Sequence, residues 1–173
     1  NSLPVFTITS SALTSATEDA IYSYTVTATD GDGTAPTFAA PTLPSWLSFN
    51  ASTKVLSGTP LNAHVGAHQV KLTVSDAFGT VDTLFTITVD NVNDAPVFTS
   101  TALTIAIENT AYSYTVSSSD ADGTTLAYTA PTLPSWLSFD ASTKVLSGTP
   151  LNADVGAHDV KLSVSDGTVT VDQ

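Results

Sequence analysis

Large apolar residues alternate with small polar ones along most of the chain. Tyr22-Ser23-Tyr24-Thr25-Val26-Thr27-Ala28 has this period, and so do Val70-Lys71-Leu72-Thr73-Val74 and Phe85-Thr86-Ile87-Thr88-Val89. A period of two is the signature of a strand with one buried face. It places Tyr22, Tyr24, Val26, Val70, Leu72, Val74, Phe85, Ile87 and Val89 inward. Thr on the outward positions suits a half-buried pleat. Gly and Pro punctuate the pattern about every ten residues, as in β-sandwiches. No helical periodicity outlasts a turn. Roughly seven short strands in about 90 residues predict a two-sheet sandwich.

The pattern occurs twice. Pro41-Thr42-Leu43-Pro44-Ser45-Trp46-Leu47-Ser48-Phe49 returns at Pro131 to Phe139. Between Pro41–Asp76 and Pro131–Asp166 the differences are Asn50 to Asp140, His64 to Asp154, Gln69 to Asp159 and Thr73 to Ser163. Self-similarity at a fixed period marks a repeat architecture. Pro4-Val5-Phe6-Thr7 returns as Pro96-Val97-Phe98-Thr99, so the seam is Asp90-Asn91-Val92-Asn93-Asp94-Ala95-Pro96. Asn1-Ser2-Leu3-Pro4 reads as the tail of an earlier seam. The expected domains are residues 1–93 and 94–173. In the second copy only Gly167-Thr168-Val169-Thr170-Val171-Asp172-Gln173 follows Asp166, so its last strand has about half the length of the first copy's.

Composition narrows the partners. Of 173 residues, 42% are hydrophobic and 12% charged, a globular balance. Sixteen acids face four bases, for a formal net charge of −12, and all four bases are Lys. Phosphate recognition needs a basic face with Arg forks, so nucleic acid is excluded as a partner, and an anionic membrane surface is disfavoured. Without Cys there is no disulfide, thiolate metal site or thiol nucleophile. No apolar run approaches the ~18 residues of a membrane helix, and no basic-then-apolar leader opens the sequence. The acids are Asp except Glu18 and Glu108. Asp favours caps, turns and ligand loops, which points to loops that could hold a hard cation such as calcium, or to an acidic surface that maintains solubility.

Tyr-x-Tyr-x-Val-x-Ala-x-Asp, Leu-Pro-Ser-Trp-Leu-Ser-Phe, Val-Leu-Ser-Gly-Thr-Pro and Val-Lys-Leu-Thr-Val-Ser-Asp together resemble dystroglycan-type cadherin-like repeats, also described as Ig-like repeats of bacterial proteins. The seam Asn91-Val92-Asn93-Asp94-Ala95-Pro96-Val97-Phe98 is similar to a cadherin linker. The resemblance implies an all-β fold of two tandem cadherin/Ig-like Greek-key β-sandwiches arranged end to end. It also implies an extracellular setting, secreted or on the cell surface. Calcium sits between cadherin repeats, and by position the resemblance carries its ligands onto Glu18, Asp90, Asn91, Asn93, Asp94, Asp120, Asp122 and Asp166, with Asn93 acting through its backbone carbonyl.

The chemistry is sound without the family. Calcium takes about 6–8 oxygens from carboxylates, amides and carbonyls. Two carboxylates ~5 Å apart repel by roughly 3 kcal/mol at an effective dielectric of ~20. The cadherin Asp-x-Glu, however, is replaced by Leu56-Ser57-Gly58-Thr59-Pro60, so fewer ions are expected, about one. The alternative is a solvated joint of Asx turns without metal. Asp30, Asp32 and Asp76 repeat part of the pattern in the first copy, where a weaker or empty site is expected.

Trp46 and Trp136 read either as core residues sealing each sandwich or as platforms for stacking a sugar; their setting between Ser45 and Leu47, near Phe49, favours the core. His68 and His158 are expected to start strands, and His64 has no counterpart in the second copy. Lys71 and Lys161 alternate outward, against an isopeptide bond. Asn50-Ala51-Ser52 is a glycosylation sequon without an equivalent at Asp140. No nucleophile elbow or phosphate loop occurs. The expected function is that of a non-catalytic spacer and adhesion module of a larger repeat protein, stiffened by calcium, with neighbouring repeats as partners. The alternative is a calcium-dependent carbohydrate-binding module of a polysaccharide-degrading or cell-surface protein. Surface glycans or homophilic contacts would be the further partners.

Overall fold

The structure is a computed structural model, which describes residues 5–7, 14–30 and 35–173. Asp32 and the 1–4 segment lie outside the described residues. The chain divides into two compact units, Asn1–Val92 and Asn93–Gln173, each with its own apolar core. Both are all-β, as the period-two pattern predicts.

Unit 1 contains β1 (Val5–Thr7), β2 (Ser15–Thr17), β3 (Tyr22–Thr25), β4 (Thr27–Thr29), β5 (Thr37–Thr42), β6 (Leu47–Asn50), β7 (Val55–Gly58), β8 (Gly66–Ser75) and β9 (Thr80–Asp90). One sheet has the order β2-β9-β8-β5, the other β3-β7-β6, and β1 pairs with β4. All pairings are antiparallel except that of β2 with β9. Val70, Leu72, Val74, Ile87 and Val89 of the larger sheet meet Tyr22, Tyr24, Leu47 and Leu56 of the smaller in one core. Phe85 packs half-buried against it. Pro41 sits where the register of edge strand β5 shifts, since it has no N–H to give the ladder.

Unit 2 contains β10 (Val97–Phe98), β11 (Tyr112–Thr115), β12 (Ser118–Ser119), β13 (Ala127–Thr132), β14 (Leu137–Asp140), β15 (Val145–Gly148), β16 (Lys161–Ser165) and β17 (Thr170–Asp172). Its sheets are β11-β15-β14 and β13-β16-β17, with β10 paired to β12. The registers repeat those of unit 1: Leu47 faces Gly58 and Leu137 faces Gly148; Val74 faces Val81 and Val164 faces Val171.

The copies differ at one edge. In unit 1, β8 runs ten residues beside the eleven of β9. In unit 2, β16 has five residues and starts only at Lys161. His158, expected to start a strand, is therefore outside it. Its sequence neighbourhood matches that of His68 except at Asp159, so the cause is a missing ladder partner rather than local propensity.

Candidate functional site

The acidic residues singled out from sequence fall into two groups, one in each unit. In unit 1, Glu18 follows β2 and is only 2% exposed. Its backbone N–H donates to the Asp90 carbonyl at 3.0 Å, and its carboxylate accepts from the Val92 N–H at 3.3 Å. The Ser15 hydroxyl donates to Asp90 Oδ2 at 3.1 Å. The parallel pairing of β2 with β9, with Thr17 opposite Asp90, sets this arrangement. Asn91 lies exposed just beyond it. Glu108, at the position equivalent to Glu18, is exposed, and the residues before it form no strand.

In unit 2 the structure brings Asn93, Asp94, Asp120, Asp122 and Asp166 into one hydrogen-bonded set. The Asn93 amide donates to Asp166 Oδ2 at 2.9 Å and to the Asp94 carbonyl at 3.1 Å. The Asp94 N–H donates to Asp122 Oδ2 at 2.7 Å, and the Asp122 N–H to Asp120 Oδ1 at 3.0 Å. Asp166 Oδ1 accepts from the Thr168 and Val169 N–H groups, both at 2.6 Å. The Val169 N–H, then the Asn93 amide and the Thr168 N–H, hold the Asp166 carboxyl below the usual carboxylate range. These are Asx turns, the local chemistry that makes Asp abundant in loops. Asp120 Oδ2 is buried without a hydrogen-bond partner, and so is Asp76 Oδ2 of unit 1.

A buried, unpartnered carboxylate oxygen among all-oxygen donors suits a hard cation in chemistry. In geometry the fit is incomplete: among the described residues no three His, Asp or Glu side chains are grouped so as to hold a metal ion.

Trp46 is buried, with edge contacts to Tyr22 at 5.7 Å and His68 at 6.0 Å between ring centroids. Trp136 makes the equivalent contacts with Tyr112 and His158 and packs, half-buried, against the core of unit 2. His64 Nδ1 accepts from the Leu61 N–H at 2.9 Å, and Asp154 Oδ2 accepts from the Leu151 N–H at the same distance. The exchange of His for Asp therefore conserves a turn acceptor. Lys71 pairs with Asp82 at 2.8 Å and Lys161 with Asp172 at 2.6 Å, all on the outer face.

Sequence reasoning pointed to the short last strand but missed what it uncovers. A groove of about 740 Å³ opens in unit 2, lined among others by Leu103, Ile105, Tyr112, Trp136, Leu162 and Gln173.

Two tandem sandwiches of this topology, each with a Trp closing its core and acids in Asx turns, define a class of Ig-like, cadherin-like repeats. The family described as Putative Ig domain matches residues 4–90 and again 95–173, and the chain belongs to it. The first two repeats of human protocadherin-24 share the fold, with a TM-score of 0.56 and 16% identity over 100% of this chain and 93% of that one. An endo-fucoidan hydrolase of glycoside hydrolase family 107 matches at 30% identity with a TM-score of 0.44; 91% of this chain aligns with 26% of the hydrolase, so the chain spans about a quarter of that protein. Extracellular domains 3–5 of Drosophila OTK match at 10% identity with a TM-score of 0.40, over 92% of this chain and 56% of that one. A comparison with curated proteins returns no match. Domains of this class are typically extracellular and non-catalytic. Among the described residues no helix is long and apolar enough to cross a membrane.

Proposed function

We propose that the chain is a non-catalytic spacer and adhesion module of a larger secreted or cell-surface repeat protein of the dystroglycan-like cadherin type. The observation that carries this reading is repetition: one family matches twice in tandem, and each copy folds around its own core. A string of such units gives a length that scales with copy number, which surface presentation uses and catalysis does not. Neighbouring repeats are its first partners.

Calcium is part of the proposal, held by Glu18, Asp90 and Asn91 of the first copy and Asn93, Asp94, Asp120, Asp122 and Asp166 of the second. The buried, unpartnered oxygen of Asp120 and the oxygen-only donor set support it. Titration calorimetry with calcium, then chelator, tests it. Calcium at a hundredfold excess over Kd should raise stability by ~2.7 kcal/mol, and Asp120→Ala should abolish the effect. Unchanged melting in millimolar calcium and in chelator would leave the acids as Asx turns. Glycan binding lost with Trp136→Ala would favour the carbohydrate-binding alternative.

A further inference from the structure

The two copies close the same turn with different chemistry. Residues 61–68 and 151–158 are identical except that His64 stands where the second copy has Asp154. Each segment opens with one 3₁₀ turn, Asn62–His64 or Asn152–Asp154. The His64 N–H donates to the Leu61 carbonyl at 2.7 Å, and the Asp154 N–H to the Leu151 carbonyl at 2.8 Å. The side chain of the same residue then accepts in return. The Leu61 N–H donates to His64 Nδ1 and the Leu151 N–H to Asp154 Oδ2, both at 2.9 Å. A second histidine ties down the far side in both copies: His68 Nε2 lies 2.6 Å from the His64 carbonyl, and His158 Nε2 lies 2.7 Å from that of Asp154. At this turn the copies therefore differ only in the acceptor.

An imidazole nitrogen that accepts a hydrogen bond carries no proton. With Nδ1 accepting from Leu61, neutral His64 holds its proton on Nε2, which lies 3.4 Å from Ser45 Oγ. A second proton would sit on Nδ1 and face the Leu61 N–H, donor against donor. A carboxyl group has no such state, since an accepting oxygen remains whether it is ionised or protonated. His68 is also insensitive in this respect: it donates to a carbonyl, and an imidazolium donates as well. The titratable groups that neighbouring elements bring to this end of unit 1 are Glu18 and Asp19 after β2, Tyr22 on β3, His68 on β8 and Asp90 on β9. Among the described residues none of them forms an ion pair with His64.

We propose that the His64 turn is a pH-sensitive device of unit 1 that unit 2 lacks. Histidine changes charge between about pH 5 and pH 8. At the upper end of that range the Leu61–His64 bond closes the turn, and its contribution to stability is present. As pH falls the acceptor is lost, the contribution goes with it, and the protonated ring must turn away. The opening also loosens the His64 carbonyl from His68, whose ring rests edge-on against Trp46. Leu61 and Val65 flank the turn and are already exposed, so its opening rearranges apolar surface at the end of the unit that carries Glu18 and Asp90. Mild acid thus loosens one copy and leaves the other closed.

NMR on the full chain at about pH 8 and about pH 5 tests this. At the higher pH the imidazole nitrogen shifts should show His64 protonated on Nε2 alone. Solvent exchange of the Leu61 N–H, corrected for its intrinsic pH dependence, should be about five- to tenfold faster at the lower pH, the worth of one net hydrogen bond. The Leu151 N–H should not change. Exchanging the acceptors should exchange the behaviour: His64→Asp makes the Leu61 N–H insensitive, and Asp154→His makes the Leu151 N–H sensitive. Each substitution installs the residue with which the other copy forms the same turn. A proton on His64 Nδ1 at the higher pH, an unchanged Leu61 rate, or equal responses of Leu61 and Leu151 in the unaltered chain overturns the proposal. Failure of either exchange of acceptors does so too.

Discussion

Gly58 and Gly148 are the positions where one added methyl group should cost most. Each ends the third strand of its small sheet, opposite Leu47 or Leu137. A Cβ at Gly58 would stand 2.0 Å from the Trp46 carbonyl oxygen and 3.2 Å from Leu47 Cα; at Gly148 the distances are 1.9 Å and 3.2 Å. The obstacle is backbone, held by the ladder and by the turn in which the Leu47 N–H donates to the Pro44 carbonyl. In a close-packed interior, relieving the contact moves that backbone by about 1 Å and strains the ladder. Overpacking costs typically 1–3 kcal/mol, and a weakened backbone hydrogen bond adds about 1, for roughly 2–4 kcal/mol. In a unit of this size, about 4–8 °C per kcal/mol makes that a fall in Tm of roughly 8–32 °C.

Gly123→Ala in the same unit as Gly148 separates contact from backbone conformation. Gly123 has a positive φ of 71° with open space around its Cβ position, so its cost is about 1–2 kcal/mol from the left-handed backbone alone. Gly148 has no positive φ, so its cost comes from contact alone. Thermal melts followed through amide signals of each unit should rank Gly148→Ala well below Gly123→Ala in Tm, with Gly58→Ala lowering unit 1 similarly. A Tm for Gly148→Ala equal to or above that of Gly123→Ala would refute the reasoning.

Three further outcomes follow from particular residues. Burial, then the neighbouring Tyr24, pushes the Tyr22 hydroxyl up to about 12, so its contribution to stability is complete below pH ~10 and is lost as pH rises from 10 towards 12; burial also raises Tyr24, so alkaline absorbance titration should show both tyrosines of unit 1 titrating late. Asp166, with its depressed pKa, contributes stability present above the unfolded value near 3.9 and lost as pH falls through the folded value. Asn93→Ala should raise the Asp166 pKa without restoring it fully, since the Val169 and Thr168 N–H groups remain; carboxyl NMR titration that shows no change would count against the Asn93 contact. Leu56→Ala, at a fully buried site, should cost about 2–5 kcal/mol and lower the melt of unit 1.

The period-two pattern was enough to find the strands and the core of unit 1, because alternation there reports a buried face directly. Tyr22, Tyr24, Val26, Val70, Leu72, Val74, Ile87 and Val89 are all buried as the alternation requires. Phe85 is the exception, half-buried where its strand runs along the margin of the core. The acidic residues were legible as turn formers, and the Asx turns at Asp166 and Asp120 follow from residue type alone. Their convergence was legible only through the family resemblance, since a linear spacing does not fix the distance between a linker and two separate loops.

What the local pattern could not carry is seen best at residues 156–160. Gly66-Ala67-His68-Gln69-Val70 forms five residues of β8, whereas Gly156-Ala157-His158-Asp159-Val160 forms none of β16. One exposed substitution does not account for the loss of a whole half-strand. A strand is completed by its neighbour: backbone donors need a ladder partner, and an apolar face needs something to cover it. In unit 1, Leu84–Asp90 supplies the ladder, and Ile87 and Val89 close the core. Remove that one neighbour and the effect spreads to both flanks. Residues 105–107 lose the parallel pairing seen at 15–17, and Glu108 loses the fixed, buried setting of Glu18. Thus a single strand position governs the order of two others and the placement of an acid at the end of the unit.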